Sequence, residues 1–124
     1  MRDHRDLEVW QKAMDLAARL YVATRELPPE ERFTLCSQIR RAAISIPSNI
    51  AEGAGRRTTK DFIAFAHTAR GSLAELESQI ELASRVGLSL KIEVWAPQLD
   101  EIGRLLNGLI RSLAAKVQAG AHRR

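Results

Sequence analysis

The side chains that could take part in chemistry are few and scattered in this sequence. The histidines are His4, His67 and His122, and the single cysteine is Cys36. A zinc site needs several Cys or His ligands at motif spacing, and a di-iron bundle needs Glu-x-x-His pairs on two helices. No histidine lies three residues after a glutamate. The sequence therefore predicts no metal site, no cofactor and no catalytic cysteine.

Two carboxylates, Glu52 and Glu75, accompany rows of small polar residues and are the acidic groups expected to be buried. Paired carboxylates can act as a general acid and a general base. We favour the alternative, that they are hydrogen-bonded caps or interface groups. Gly53-x-Gly55 precedes basic residues as in a phosphate-binding loop, but no strand precedes it and no Gly-Lys-Ser/Thr follows. We therefore predict that the protein is not an enzyme.

Basic residues are the remaining candidates for ligand contact. The net charge is +4, and residues 28–57 and 88–124 carry +2 and +3 of it. A basic stripe can contact the phosphates of RNA or DNA, and the alternative is an ordinary solvated face. Only 5% of residues are aromatic, which argues against base stacking as the main mode of binding. The candidate contacts are Arg40, Arg41, Arg56, Arg57, Lys60, Arg104, Arg111 and Lys116.

Hydrophobic periodicity places these residues on four amphipathic helices. The predicted helices cover about residues 6–26, 29–54, 59–86 and 90–117. Asp6 is a plausible N-cap of the first, and Pro29 suits the first position of the second. Four such helices joined by short turns predict an all-α, up-down-up-down antiparallel four-helix bundle over residues 1–118. Residues 119–124 are expected to form a flexible basic tail.

Pro47 lies inside the second predicted helix, and the apolar residues keep their spacing on both sides of it. A kinked helix is therefore favoured over two shorter ones. If the second and third helices are antiparallel about residues 55–59, Ser45 lies near Ser72. The rows of small polar residues then face each other or together face another subunit, which predicts a homo-oligomer. The interface or buried polar candidates are Ser45, Asn49, Glu52, Ser72 and Glu75.

Two further packing expectations follow from residue type. Trp10 and Tyr21 are expected to be core anchors of the first helix. Gly71 lies in the middle of the third helix, where glycine costs roughly 1 kcal/mol relative to alanine. Close approach of another backbone is expected to offset that cost there, and a similar approach is expected at Gly103 and Gly108.

The sequence also bears on the compartment. No stretch approaches the roughly 20 apolar residues of a membrane span. The N-terminal residues mix both signs of charge and do not resemble a signal peptide. One cysteine cannot form an intramolecular disulfide, which fits a reducing compartment. We expect a soluble cytoplasmic protein without a membrane partner.

The segments ISIPSNIAEG (Ile44–Gly53) and GSLAELE (Gly71–Glu77) carry a family resemblance. The chain resembles the four-helix bundle proteins encoded by intervening sequences in bacterial large-subunit ribosomal RNA genes. It is also similar to the accessory variability determinant of diversity-generating retroelements. The resemblance implies a ring of five bundles with a central pore and a basic surface. In the retroelement accessory, that barrel binds a reverse transcriptase and nucleic acid.

The resemblance supplies no catalytic residues. The small polar residues named above match its motif positions, and we interpret them as structural or interface groups. Two functional hypotheses follow. The first is an oligomeric, pentameric adaptor that binds RNA or DNA, alone or with a reverse transcriptase. The second is a structural scaffold for protein–protein interaction with no role in nucleic-acid binding.

Overall fold

A computed structural model describes residues 3–122. Four α-helices form most of this described part of the chain, which contains no strand. Three short 3-10 turns, His4–Asp6, Thr24–Glu26 and Pro29–Glu31, precede or link the first two helices. The helices are α1 (Glu8–Ala23), α2 (Leu35–Ala54), α3 (Thr59–Arg85) and α4 (Ile92–His122). An all-α chain with four helices is confirmed and is consistent with a helical bundle.

The first helix begins later than predicted. Asp6 is not its N-cap, because His4–Asp6 forms a separate 3-10 turn capped by the Asp3 side chain. Asp3 Oδ1 accepts a hydrogen bond from the Arg5 amide at 2.9 Å, and this bond lowers the pKa of the Asp3 carboxyl. Leu7 occupies the N-cap position of α1 without a side-chain hydrogen bond.

The second helix also begins later, at Leu35 instead of Pro29. Pro29 does start a helical turn, but Pro29–Glu31 has 3-10 geometry. The Thr34 amide bonds to the Glu31 carbonyl, and Thr34 has φ −116° and ψ −104°, outside the helical region. The regular i to i−4 hydrogen bonds therefore start only after Thr34.

The fourth helix runs longer than predicted. It continues from the expected end at residue 117 to His122, so residues 119–122 of the predicted tail are helical. Ala114, Ala115 and Ala119 favour this extension, because alanine has the highest intrinsic helix propensity. The remainder of the predicted tail, residues 123–124, lies outside the described residues.

Pro47 is buried inside an uninterrupted α2. One continuous helix is therefore observed, and the alternative of two shorter helices is excluded. Proline has no amide hydrogen, so the Ala43 carbonyl loses its usual i to i+4 donor. Asn49 donates from Nδ2 to the Ser45 carbonyl at 2.8 Å, two residues after the Ala43 carbonyl that the proline leaves without its donor.

The closest glycine contact joins α2 and α3 near their connecting turn. A Cβ at Gly53 would lie 2.8 Å from both Phe62 Cδ1 and Phe65 Cβ, so only glycine fits there. Gly71 has no neighbouring atom within 4 Å of such a Cβ, and the expectation of close packing at this position is wrong. At Gly103 the neighbour is a flexible Leu73 side chain at 3.5 Å and not a backbone.

All four helices contribute to one hydrophobic core. Trp10 packs against it from a half-buried position, whereas Tyr21 is 40% exposed and is not a core anchor. The buried residues that anchor α1 in the core include Val9 and Leu16, in place of the expected Trp10 and Tyr21. None of the helices among residues 3–122 is long and apolar enough to cross a membrane.

Candidate functional site

A polar network joins α2 and α3 near the middle of their contact. Ser45 Oγ lies 2.7 Å from Ser72 Oγ, as the antiparallel pairing about the turn predicts. Ser72 donates to the Thr68 carbonyl at 3.2 Å, and Asn49 Nδ2 donates to Ser45 Oγ at 2.9 Å. Ser72 is buried, and Ser45 and Asn49 are half-buried. The polar rows of the two helices therefore bond to each other within one chain.

A shallow polar notch of about 270 Å³ continues this network toward the surface. Its outer wall contains Gln38, Arg41, Glu75 and Gln79. Gln79 Oε1 is buried and accepts no hydrogen bond from the described part of the chain. The notch brings Gln38 and Gln79 together but contains no nucleophile paired with a base.

The two candidate acidic residues are both exposed, so the expectation that they are buried is wrong. Glu52 lies near the C-terminus of α2, where its carboxylate accepts a hydrogen bond from Arg56 at 2.8 Å. Glu75 lies on the rim of the polar notch, three residues after the buried Ser72 on α3. They do not form a carboxylate pair.

Arg40 is held by contacts within the chain. Its Nε donates to Thr24 Oγ1 at 2.8 Å, and its Nη2 donates to the Tyr21 carbonyl at 3.0 Å. The guanidinium also lies 4.4 Å from the centre of the Tyr21 ring. Arg40 therefore closes the C-terminal end of α1 against α2, because a cation at a helix C-terminus satisfies carbonyls that lack amide donors. Arg41, the next residue, remains exposed.

The other candidate cations lie on the α2–α3 turn and on α3 and α4. Arg56 is partly engaged, since it pairs with Glu52 and lies 4.7 Å from the Phe65 ring centre. The remaining five are exposed, and none forms an ion pair with a carboxylate of residues 3–120. These five residues are Arg57, Lys60, Arg104, Arg111 and Lys116.

The contacts between α3 and α4 show that the two helices are antiparallel, because a later residue on α3 contacts an earlier residue on α4. Arg70 Nη1 donates to Asn107 Oδ1 at 3.1 Å, and Leu73 lies against Gly103. This register brings the first half of α3 beside the second half of α4. Lys60 and Lys116 consequently lie at about the same height along the bundle.

Charge is divided between the two halves of this helix pair. We define the basic half as residues 57–71 and 103–122, which contain six Lys and Arg residues and one carboxylate, a net +5. The acidic half, residues 72–102, contains two Lys and Arg residues and six carboxylates, a net −4. The basic half therefore carries more positive charge than the whole chain, whose net charge is +4.

Arg70 belongs to the basic half and was missed by the sequence reasoning. Its Nη2 lies 2.9 Å from His67 Nδ1, and its second contact, with Asn107, crosses to α4. The signal that could have revealed it is the split of charge within residues 58–87. That segment has a net charge of −1, which conceals its basic beginning and its acidic end.

The acidic half also affects its own ionisation. Partial burial, together with the neighbouring carboxylate of Asp100, raises the pKa of Glu77 above its ordinary value. The two residues belong to facing turns of α3 and α4. The acidic half carries negative charge and the basic half carries positive charge, so the surface of the helix pair is bipolar.

Comparison with known proteins identifies the family. The family profile described as 23S rRNA-intervening sequence protein matches residues 5–108, most of the chain. This chain belongs to that family. Within the basic half, Arg57, Lys60, Arg70 and Arg104 lie inside the matched residues, whereas Arg111 and Lys116 lie beyond them.

A solved structure supports the 23S rRNA-intervening sequence family at the level of fold. It is the crystal structure of a protein of unknown function from the S23 ribosomal protein family of Bacteroides thetaiotaomicron VPI-5482. The sequences are 28% identical over 82% of this chain and 97% of that chain, with a TM-score of 0.74. No curated protein matches this sequence. Neither comparison assigns a biochemical activity.

An apolar groove between α1 and α2 is a second surface of this 23S rRNA-intervening sequence protein that sequence reasoning missed. Met14, Tyr21 and Ile44 line it and are 40–43% exposed, with Trp10 and Pro47 behind them. Met14 and Ile44 each follow a buried alanine of the core row. The sequence signal that could have predicted this groove is a large apolar residue directly after a residue of the buried apolar row.

The described residues 3–122 contain no candidate metal centre. Among the described residues, no group of three or more His, Cys, Asp or Glu side chains is arranged to hold a metal ion. Cys36 is buried, and its sulfur lies 3.9 Å from the Thr24 carbonyl oxygen. The candidate contact surfaces described so far are the basic half, the polar notch and the α1–α2 groove.

Proposed function

We propose that this protein is a non-enzymatic adaptor that binds RNA or DNA through the basic half of α3 and α4. The observation that carries this proposal is the segregation of charge, +5 in the basic half against −4 in the acidic half. Phosphate groups attract clustered Lys and Arg side chains, and their contact is largely independent of sequence. The acidic half repels the same polyanion, so contact is confined to one half of the helix pair.

The side chains available for this contact are exposed and have no carboxylate partners among residues 3–120. Arg104 and Arg111 are seven residues apart and lie on one face of α4. Arg57, Lys60 and Lys116 extend the same charge toward the end of the bundle. Arg40 is not a member of this set, because its donors already bond within the chain.

We further propose that the adaptor is a homo-oligomer, a ring of five up-down-up-down bundles. The α1–α2 groove supports self-association, because large side chains such as Met14 and Ile44 remain over 40% exposed in one chain. Repetition of the basic half around a ring would multiply its field. A reverse transcriptase is the candidate protein partner of such an adaptor.

Charge reversal tests the nucleic-acid contact. The Arg104→Glu/Arg111→Glu variant is compared with Arg25→Glu/Lys91→Glu, which makes the same change of charge at exposed positions outside the basic half. We expect the first variant to lower affinity for a 20-nucleotide RNA at least tenfold and to reduce the salt slope by about 2. The control should retain most of the affinity. Equal effects of both variants would contradict the proposed surface.

The second candidate function is a protein–protein scaffold without nucleic acid, and the α1–α2 groove is the observation that favours it. Light scattering of the Met14→Glu/Ile44→Glu variant tests the groove. We expect a lower mass than the parent protein with unchanged helix content. A parent that forms oligomers through the groove but binds neither RNA nor DNA would support the scaffold over the adaptor.

A further inference from the structure

A cavity of about 430 Å³ lies at the end of the bundle where the α2–α3 turn meets α4 and the start of α1. Its floor is apolar and comes from Leu7, Phe62, Leu109 and Leu113. Arg57 and Lys116 stand at its rim. The volume is within the usual range for a small-molecule site, about 300–1,000 Å³.

The positive side chains that line the cavity lie on the side formed by the α2–α3 turn and α4. Arg57 and Lys116 have no carboxylate partner among residues 3–120, whereas Arg56, which also lines the cavity, is already paired with Glu52. Leu7, on the opposite wall, lies between Asp6 and Glu8 in the sequence. An anionic group is therefore attracted to the side formed by the turn and α4, and an apolar group to the floor.

We propose that this cavity binds a small amphiphile with one apolar chain and a carboxylate head, such as a medium-chain fatty acid. The chain lies against Leu7, Leu109 and Leu113, and the carboxylate is held by Arg57 and Lys116. A peptide segment fits less well, because its amides would lose water without partners on an apolar floor. This site shares Arg57 and Lys116 with the proposed nucleic-acid surface, but the proposal does not depend on nucleic-acid binding.

Calorimetric titration of the full chain tests the proposal, with octanoate, decanoate, decanol and decylamine as probes. We expect decanoate to bind with a stoichiometry of one per chain and at least tenfold more tightly than decanol or decylamine. Each added CH₂ between octanoate and decanoate should raise the affinity about fourfold, as burial of a methylene group predicts. Equal affinities for decanoate and decanol would overturn the proposal.

Two variants connect the binding to this cavity. Arg57→Ala/Lys116→Ala should lower the decanoate affinity about tenfold or more and leave the weak decanol binding unchanged. Arg25→Ala/Lys91→Ala is the matched control and should bind decanoate as the parent does. Unchanged decanoate binding in Arg57→Ala/Lys116→Ala would show that the cavity is not the site, and circular dichroism checks that both variants are folded.

Further measurements separate this site from its alternatives. An apolar peptide with a free C-terminal carboxylate that binds tenfold more tightly than decanoate would overturn the small-amphiphile assignment. The Arg104→Glu/Arg111→Glu variant should lose RNA affinity and keep decanoate affinity. A protein that binds decanoate but no nucleic acid would contradict the proposed function and leave this inference standing.

Discussion

Ser45 Oγ and Ser72 Oγ lie 2.7 Å apart across the contact between α2 and α3, and either hydroxyl can donate. Ser72 Oγ also lies 3.2 Å from the Thr68 carbonyl, and Ser45 Oγ accepts from Asn49 Nδ2. Each serine has one hydroxyl proton, so the arrangement that satisfies all these contacts at once runs from Asn49 to Ser45 to Ser72 to the Thr68 carbonyl.

This order predicts energetic coupling between the two serines. Ser45→Ala should lower the free energy of unfolding by about 1–2 kcal/mol, because Ser72 loses its only donor in a buried position. The double variant Ser45→Ala/Ser72→Ala should cost less than the sum of the single variants. Urea unfolding of all four proteins measures the coupling.

Ser78→Ala is the control for that series. Ser78 Oγ also donates to the carbonyl four residues earlier, at 3.0 Å, but this side chain is exposed and touches no serine on α2. Ser78→Ala should change the free energy of unfolding by no more than about 0.5 kcal/mol. An equal loss in Ser45→Ala and Ser78→Ala, or strict additivity in the cycle, would contradict the ordered chain of donors.

Two glycines should respond in opposite directions to alanine. Gly53→Ala places a methyl group 2.8 Å from Phe62 and Phe65, which requires a shift of α3 and should cost about 1–3 kcal/mol. Gly71→Ala meets open space in the middle of a helix and should raise stability by about 0.5–1 kcal/mol. Thermal unfolding distinguishes the two, and a stabilising Gly53→Ala would refute the close contact.

Arg40 and Arg41 are adjacent but should differ in effect. Arg40→Ala removes two hydrogen bonds to the end of α1 and should lower stability by about 1–3 kcal/mol. Arg41→Ala should change it by no more than about 0.5 kcal/mol, because the side chain is exposed. Denaturant midpoints provide the comparison. Similar losses in the two variants would contradict the structural role of Arg40.

The raised pKa of Glu77 predicts a pH effect on stability. A carboxyl whose pKa is higher in the folded state favours folding while it is protonated, and loses that contribution as pH rises through the folded pKa. Glu77→Gln should therefore exceed the parent in stability at pH 7. The gain should be below about 1 kcal/mol, because solvent screens this partly exposed group.

Urea unfolding at pH 7 and at pH 4 measures that difference. At pH 4 the parent and Glu77→Gln should converge, since the carboxyl is then largely protonated. Asp100→Asn should give a smaller gain at pH 7, because burial and not the Asp100 charge is the main cause of the shift. A gain that grows on acidification would show that the assigned cause is wrong.

Apolar spacing was sufficient to predict four helices, and counting residues from the α2–α3 turn was sufficient to pair Ser45 with Ser72. The start of α2 could not be predicted, because a proline suits the first turn of a 3-10 or an α-helix equally well. The intrachain hydrogen bonds of Arg40 could not be predicted, because its partners lie 16 and 19 residues away. The sequence shows the charge of a side chain, but not which distant carbonyls or hydroxyls form hydrogen bonds with it in the folded chain.

The basic and acidic halves of α3 and α4 make the molecule a permanent electric dipole. Their centres are separated by roughly 20 Å, about half the length of the longer helix at 1.5 Å per residue. A dipole of this size experiences a torque in the field of a polyanion before the two molecules touch. The protein would consequently rotate its basic end forward during approach, and the fraction of encounters in a productive orientation should fall as salt shortens the range of the field.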